Sequence, residues 1–244
     1  MALHVKQERR EFIQYSTLGI LGLVLGAGVA GAPYLKARET HLRPPGAVEE
    51  DRFLSLCIKC GQCLQVCPYH SIKLSDFTRG YGMGTPYIEA RERGCYLCGA
   101  LPCVLACPTG ALDHHAEKPE DVQMGIAVFA FPETCLAITR TIVPKNQIER
   151  IYSHPHTRNL EEDVLKKLST YEGKNCTICA DMCPFPNPLS AIEMIVTEEG
   201  IKKPQINHNC VGCGVCEELC PASSPSIVIK PRETYETFYK KDQR

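Results

Sequence analysis

The 244-residue chain has no tryptophan, and aromatic residues make up only 7 % of it. Aromatic side chains supply much of the buried area in most cores, so something besides apolar packing must help hold this fold together. Charge of one sign is also missing: 27 Lys and Arg stand against 28 Asp and Glu, a net charge of −1. That excludes a chain built to grip nucleic acid or an anionic membrane surface by charge. There is no Rossmann fingerprint and no phosphate loop, and no flavin site is apparent. At this length one large or two small domains fit. What is abundant is cysteine, sixteen in all.

Their grouping decides what they do. Cys57, Cys60, Cys63 and Cys67 before Pro68 form C-x2-C-x2-C-x3-C-P, and Cys210, Cys213, Cys216 and Cys220 before Pro221 repeat it. Three thiolates this close wrap one iron–sulfur cube, and the fourth ligates a second cluster. Each run therefore needs a partner run. Cys95, Cys98, Cys103 and Cys107 before Pro108 keep the design with two extra residues between the second and third ligands. Cys176, Cys179 and Cys183 before Pro184 lack only a first ligand. Cys135 is the remaining cysteine, so it is assigned that role, with 136–175 as a long insertion. Four runs of four then use all sixteen.

Short β-like pieces flank the runs: 71–74, 110–113, 191–196 and 226–230 after the prolines, and 86–90, 125–129 and 203–207 before three runs. Residues between third and fourth cysteines, such as 64–66 and 217–219, can start a short helix. The expected fold is α+β, two ferredoxin-like two-cluster units made of four cysteine-run repeats, after an N-terminal hydrophobic helix. Structural zinc uses C-x2-C pairs too, but a dozen or more residues usually separate them. A disulfide scaffold would strain neighbours this close.

The N-terminal stretch has its own character. Arg9 and Arg10 followed by Phe12 and Ile13 resemble a twin-arginine export signal. Phe12 to Leu35 carries no charge and, as a helix of about 36 Å, would cross a hydrocarbon core of roughly 30 Å. Ala30-Gly31-Ala32 fits a cleavage site, though Pro33 follows it. Residues 1–35 are read as a signal or membrane anchor, and 36–50 as a polar linker. Export of a protein folded with its cofactors reconciles thiolate ligands with an oxidising destination.

Little else looks chemical. His114 and His115 are read as surface residues, and His154 and His156 as solvated loop. In the insertion, Asn159 can cap a helix whose first turn carries Glu161, Glu162 and Asp163. Val164, Leu165 and Leu168 share a face, and Gly173 can end it. That face packs either on the protein's own core or on a redox partner. The tail from 231 to 244, with Tyr235, Phe238 and Tyr239, could lie along either.

Cys57–His70, Pro102–Leu112 and the approach Gly125–Phe129 to Glu133–Leu136 resemble the NapG/MauM group of ferredoxin-type proteins, polyferredoxin components of quinol dehydrogenases. The likeness runs from the twin-arginine signal to the last run. In that family too the third motif has its first cysteine set apart, although the gap here is far longer. By analogy with related four-cluster subunits, the resemblance implies that run one pairs with run four and run two with run three. The implied ligand sets are Cys57/Cys60/Cys63/Cys220, Cys210/Cys213/Cys216/Cys67, Cys95/Cys98/Cys103/Cys183 and Cys135/Cys176/Cys179/Cys107. The domain at 51–230 would then hold an outer unit from 51–85 and 200–230 and an inner unit from 86–199.

The implied cofactors are four 4Fe–4S clusters, and all-cysteine ligation leaves no open catalytic position. The expected function is single-electron transfer between a membrane quinol-oxidising subunit and an exported redox enzyme or cytochrome. It would take place on the periplasmic face of the inner membrane, without independent catalysis. Two other readings stay open: an iron–sulfur subunit of a molybdenum enzyme, hydrogenase or other catalytic complex, and a structural zinc protein.

Overall fold

The structure, a computed structural model, describes residues 15–23, 40–76, 82–152 and 159–240. Residues 40–74 and 85–244 belong to one compact unit, and residues 1–39 and 75–84 to another. In the smaller unit, residues 15–23 are helical (α1), and the N–H of Gly84 donates to the carbonyl of Ser75 at 2.7 Å. Among the described residues no helix is long and apolar enough to cross a membrane. Of the expected 24-residue span only residues 15–23 are described; the rest of it, with Arg9, Arg10 and the cleavage site, lies outside the described residues.

The larger unit starts with α2 (Glu50–Leu56), capped by the Glu49 carboxylate, which accepts from the N–H groups of Asp51 and Arg52. Phe53 of α2 is fully buried. The first run starts α3 (Gln62–Gln65), and the piece after it forms β1 (Ile72–Leu74). β1 pairs antiparallel with β2 (Pro86–Ile88), the piece just before the second run, with Ile72 opposite Ile88. The second run carries α4 (Pro102–Leu105). The expected strand at 110–113 is reduced to one bridge, Leu112 to Ala47. These pieces tie the first and second runs together.

The second half repeats the pattern. β3 (Gly125–Phe129) leads to Cys135. After the insertion come α7 (Ile178–Asp181) in the third run, α8 (Pro188–Ala191), β4 (Ile192–Val196) and β5 (Lys202–Ile206). The fourth run carries α9 (Val215–Glu218), followed by β6 (Ile227–Pro231) and α10 (Tyr235–Tyr239). β4 pairs with β5, and β3 with β6, both antiparallel. Strands before and after the third run therefore pair with strands after and before the fourth. This is the sequential arrangement, not the nested outer and inner units expected from the resemblance.

The insertion holds α5 (Lys145–Tyr152) and α6 (Asn159–Ser169). Its base is closed where the N–H of Val143 donates to the carbonyl of Lys174 at 2.9 Å and that of Gly173 to Val143 at 3.0 Å. Ile142 and Asn175 form a bridge at the same place. A closed base lets forty intervening residues loop out while Cys135 and Cys176 stay near one another. Ile148, Ile151 and Leu168 are buried, with Val164 and Leu165 packed against the core. The helical face is spent on the protein's own interior. The tail does the same: the Tyr239 hydroxyl donates to the Ala127 carbonyl at 3.0 Å.

Candidate iron–sulfur sites

A loop that aims several thiols at one place has to curl tightly. The residue before the second cysteine has a positive φ in three runs: Lys59 at 58°, Leu97 at 48° and Gly212 at 67°. Lysine and leucine there carry a strain of about 1 kcal/mol or more, accepted because the curl turns both neighbouring thiols inward. At Gly212 there is no room for a side chain, since a Cβ would lie 2.2 Å from the carbonyl carbon of Gly125.

Four cysteines line each of three cavities of similar size. Cys57, Cys60, Cys63 and Cys107 surround ≈ 360 Å³. Cys95, Cys98, Cys103 and Cys67 surround ≈ 340 Å³. Cys210, Cys213, Cys216 and Cys183 surround ≈ 360 Å³. The fourth set follows from its electrostatics. Burial pushes the Cys176 thiol up to about 12, and Cys220 and Cys135 push it further up as the nearest charged neighbours. Cys179, well above its usual range through burial, feels Cys176, Cys220 and Cys135.

The thiols are grouped differently from the expected pairing. Three cysteines of one run do meet the fourth of another, but run one exchanges with run two, and run three with run four. Cys220 stands with Cys135, Cys176 and Cys179 rather than with Cys57, and Cys67 stands with the second run rather than the fourth. Cys107 stands with the first run rather than the third, and Cys183 with the fourth rather than the second. The reason is the strand pairing: β1 with β2, and β3 and β4 with β6 and β5, bring sequence neighbours together.

Backbone amides already point at sulfur. The N–H of Ser71 donates to Cys67 Sγ at 3.3 Å and that of Leu112 to Cys107 Sγ at 3.4 Å. For Cys107 burial works upward, but amides of Leu112, Thr109 and Ala111 and the Thr109 hydroxyl outweigh it and hold the thiol below its usual range. At four other cysteines burial wins, taking Cys63, Cys98 and Cys183 to about 11 and Cys103 to about 12. Thiols this reluctant to ionise need a cation beside them to become thiolate, and metal binding would release their protons. The thiols ring a space; among the described residues no three His, Cys, Asp or Glu side chains converge on a single ion. Four-thiol cavities fit a polynuclear iron–sulfur group of the kind held by Cys-x2-Cys runs.

Among the described residues no histidine lines these cavities. His114 and His115 are exposed, with His114 Nε2 2.8 Å from the Cys107 carbonyl; His154 and His156 lie outside the described residues. Sequence reasoning missed a second group of residues, the joint between the halves. Arg91 Nη1 donates to the carbonyls of Glu217 and Cys220 at 2.8 and 3.0 Å, and its Nη2 to Ala222 at 2.8 Å. Glu217 and Glu218 are buried. Glu217 accepts from the Ile229 N–H at 2.7 Å and Glu218 from the Gly94 N–H at 2.8 Å. From sequence, 217–219 was expected only to start a short helix; the hint of burial was the place of the two acids inside an otherwise apolar run.

The fold and its cysteine sets define a ferredoxin-type protein that binds 4Fe–4S clusters. Family models agree: a 4Fe–4S dicluster domain matches residues 56–111 and a 4Fe–4S binding domain residues 210–224. The chain belongs to the NapG/MauM family of ferredoxin-type proteins. It is 44 % identical over 119 residues to the ferredoxin-type protein NapG of Escherichia coli, covering 49 % of this chain and 50 % of that protein. It is 33 % identical over 200 residues to the methylamine utilization ferredoxin-type protein MauM of Methylobacillus flagellatus, covering 80 % of this chain and 71 % of that protein. With MauM of Paracoccus denitrificans the identity is 35 % over 172 residues, covering 70 % and 61 %. The chain thus spans about half the length of the Escherichia coli relative. No solved structure matches it.

Proposed function

We propose that the sixteen cysteines hold four 4Fe–4S clusters and that the protein carries single electrons between a membrane quinol-oxidising partner and an exported redox enzyme. The observation that carries this reading is the arrangement of the thiols: three sets line cavities of nearly equal size, and a fourth set repeats the same exchange of one cysteine between runs. A bound cluster would supply reversible one-electron chemistry. Four protein thiolates per cluster leave no coordination position for substrate, which favours a carrier over a catalyst. Cys57, Cys60, Cys63 and Cys107 would hold one cluster, and Cys95, Cys98, Cys103 and Cys67 its neighbour. Cys210, Cys213, Cys216 and Cys183 would hold the third, and Cys135, Cys176, Cys179 and Cys220 the fourth. The amides aimed at Cys67 and Cys107 would stabilise thiolate charge and so raise the potential of the clusters they serve.

Iron and sulfide analysis of anaerobically prepared protein, with EPR of the reduced state, tests the reading. About sixteen irons per chain are expected, and far fewer would sink it. Export is a further part of the proposal, supported by Arg9-Arg10 ahead of Phe12 and Ile13. Replacing both arginines by lysine should keep the protein in the cytoplasm; normal export of that variant would count against the twin-arginine route.

A further inference from the structure

The halves meet at a tight seam between residues 90–95 and 213–222. The backbone N–H of Cys95 donates to the carbonyl of Cys213 at 2.7 Å, so a cysteine of the second set is bonded directly to a cysteine of the third. Cys213 is also among the thiol neighbours whose charge raises Cys95, after burial and Cys103. On either side the backbones are in contact. A Cβ on Gly94 would lie 2.5 Å from the Val215 nitrogen and 2.6 Å from the Gly214 carbonyl carbon. One on Gly214 would lie 2.8 Å from the Ala90 Cβ. Only glycine permits this approach. The seam is locked by the Gly94 N–H on Glu218, by Arg93 against Glu218 at 3.7 Å, and by the Arg91 strap across the carbonyls of Glu217, Cys220 and Ala222.

Within each half the short helices of the two runs pack on one another, α3 on α4 and α7 on α9. The seam therefore joins one packed pair of runs to the other through the second and third sets.

Resting on the four-cluster reading, we propose that the Cys95–Cys213 seam is the crossing point for electrons between the two halves, and that Gly94 and Gly214 are the positioning residues that keep it short. One electron leaves the centre on one side as the centre on the other is reduced. No protein bond forms or breaks, and no proton is required. A one-electron protein donor would load one of the halves, and dithionite replaces it in the test.

The test compares wild type with Gly94→Val, Arg91→Met and, as control, Gly99→Ala, where a Cβ meets nothing within 4 Å. Each full-length protein is prepared anaerobically, assayed for iron and sulfide, and reduced with dithionite for EPR of spin–spin coupling between clusters. Gly94→Val should keep its iron and lose the coupling component that crosses the seam, while coupling within each half persists; Arg91→Met should weaken the same component, and Gly99→Ala should leave it intact. Unchanged coupling in an iron-replete Gly94→Val protein overturns the proposal and leaves the four-cluster reading standing. So does equal loss in Gly99→Ala. Should Gly94→Val fail to take up iron, Arg91→Met decides alone, and wild-type coupling in that variant overturns the proposal. A wild type with far less than four clusters' iron instead fails the underlying reading.

Discussion

Arg232 and Glu50 are ion-paired at 2.8 Å across 182 residues of sequence. The same carboxylate takes two hydrogen bonds from buried Arg43, at 2.6 and 3.2 Å, and Arg232 also caps the carbonyls of Ala47 and Val48. One acid therefore joins the segment leading into the first run to the strand that leaves the fourth. Burial works against ionising Glu50, but the hydrogen bonds and charges of Arg43 and Arg232 outweigh it and hold its carboxyl below the usual range.

Glu50→Gln should lower stability by about 2–4 kcal/mol, because Arg43 is left buried without its counter-charge. A carboxyl with a lowered folded pKa contributes stability that is fully present above its unfolded value and lost as pH falls through the folded one. The gap between wild type and variant should thus stay constant from about pH 8 to about pH 5.5 and close only at lower pH. Anaerobic thermal unfolding checks this, and a gap that already shrinks near neutrality would contradict it.

Cys220→Ala should strip iron from the set of Cys135, Cys176 and Cys179 and leave that of Cys57, Cys60 and Cys63 loaded. Iron counts alone cannot tell which set is lost, so the companion variant Cys107→Ala is needed. If the runs pair sequentially, the double variant Cys57→Ala/Cys107→Ala should lose no more iron than either single variant. An additive loss would restore the nested pairing.

Leu168→Ala should cost about 2–5 kcal/mol through the cavity it leaves, since Leu168 is fully buried against the core. Deleting 145–170 should likewise reduce iron retention, because it uncovers the interior rather than a docking face. Normal iron content and an unchanged unfolding transition after that deletion would return the helix face to a partner.

Ser71 and Leu112 direct their amides at Cys67 and Cys107. A proline cannot donate, so Leu112→Pro should lower the reduction potential of the cluster held by Cys57, Cys60, Cys63 and Cys107. A redox titration followed by EPR reads the shift. Because proline can also disturb the Leu112–Ala47 bridge, the iron content must match wild type for the comparison to count.

Much of this protein was legible in its spacing. Six of the seven flanking strands and the short helices at the third cysteines appear where the motif and the alternation place them. Leu112 is the exception, reduced to a bridge. The pairing of runs was not legible. Each run shows only that its fourth thiol leaves for another cluster, and Cys67, Cys107, Cys183 and Cys220 look alike in sequence. The Arg91 strap and the buried pair Glu217 and Glu218 were equally hidden, because Arg91 and Gly94, which hold that segment, lie more than 120 residues away from it.

The sequence by itself points to the chemistry: sixteen thiols in repeated C-x2-C spacing suit thiolate ligation of iron–sulfur groups, because neighbours that close cannot all pair as disulfides without strain. Only the tertiary structure decided which thiols share a cavity and which cavities are neighbours. Strand pairing between β1 and β2, and between β3, β4 and their partners β6 and β5, is a long-range choice made by packing. A local motif carries no record of it.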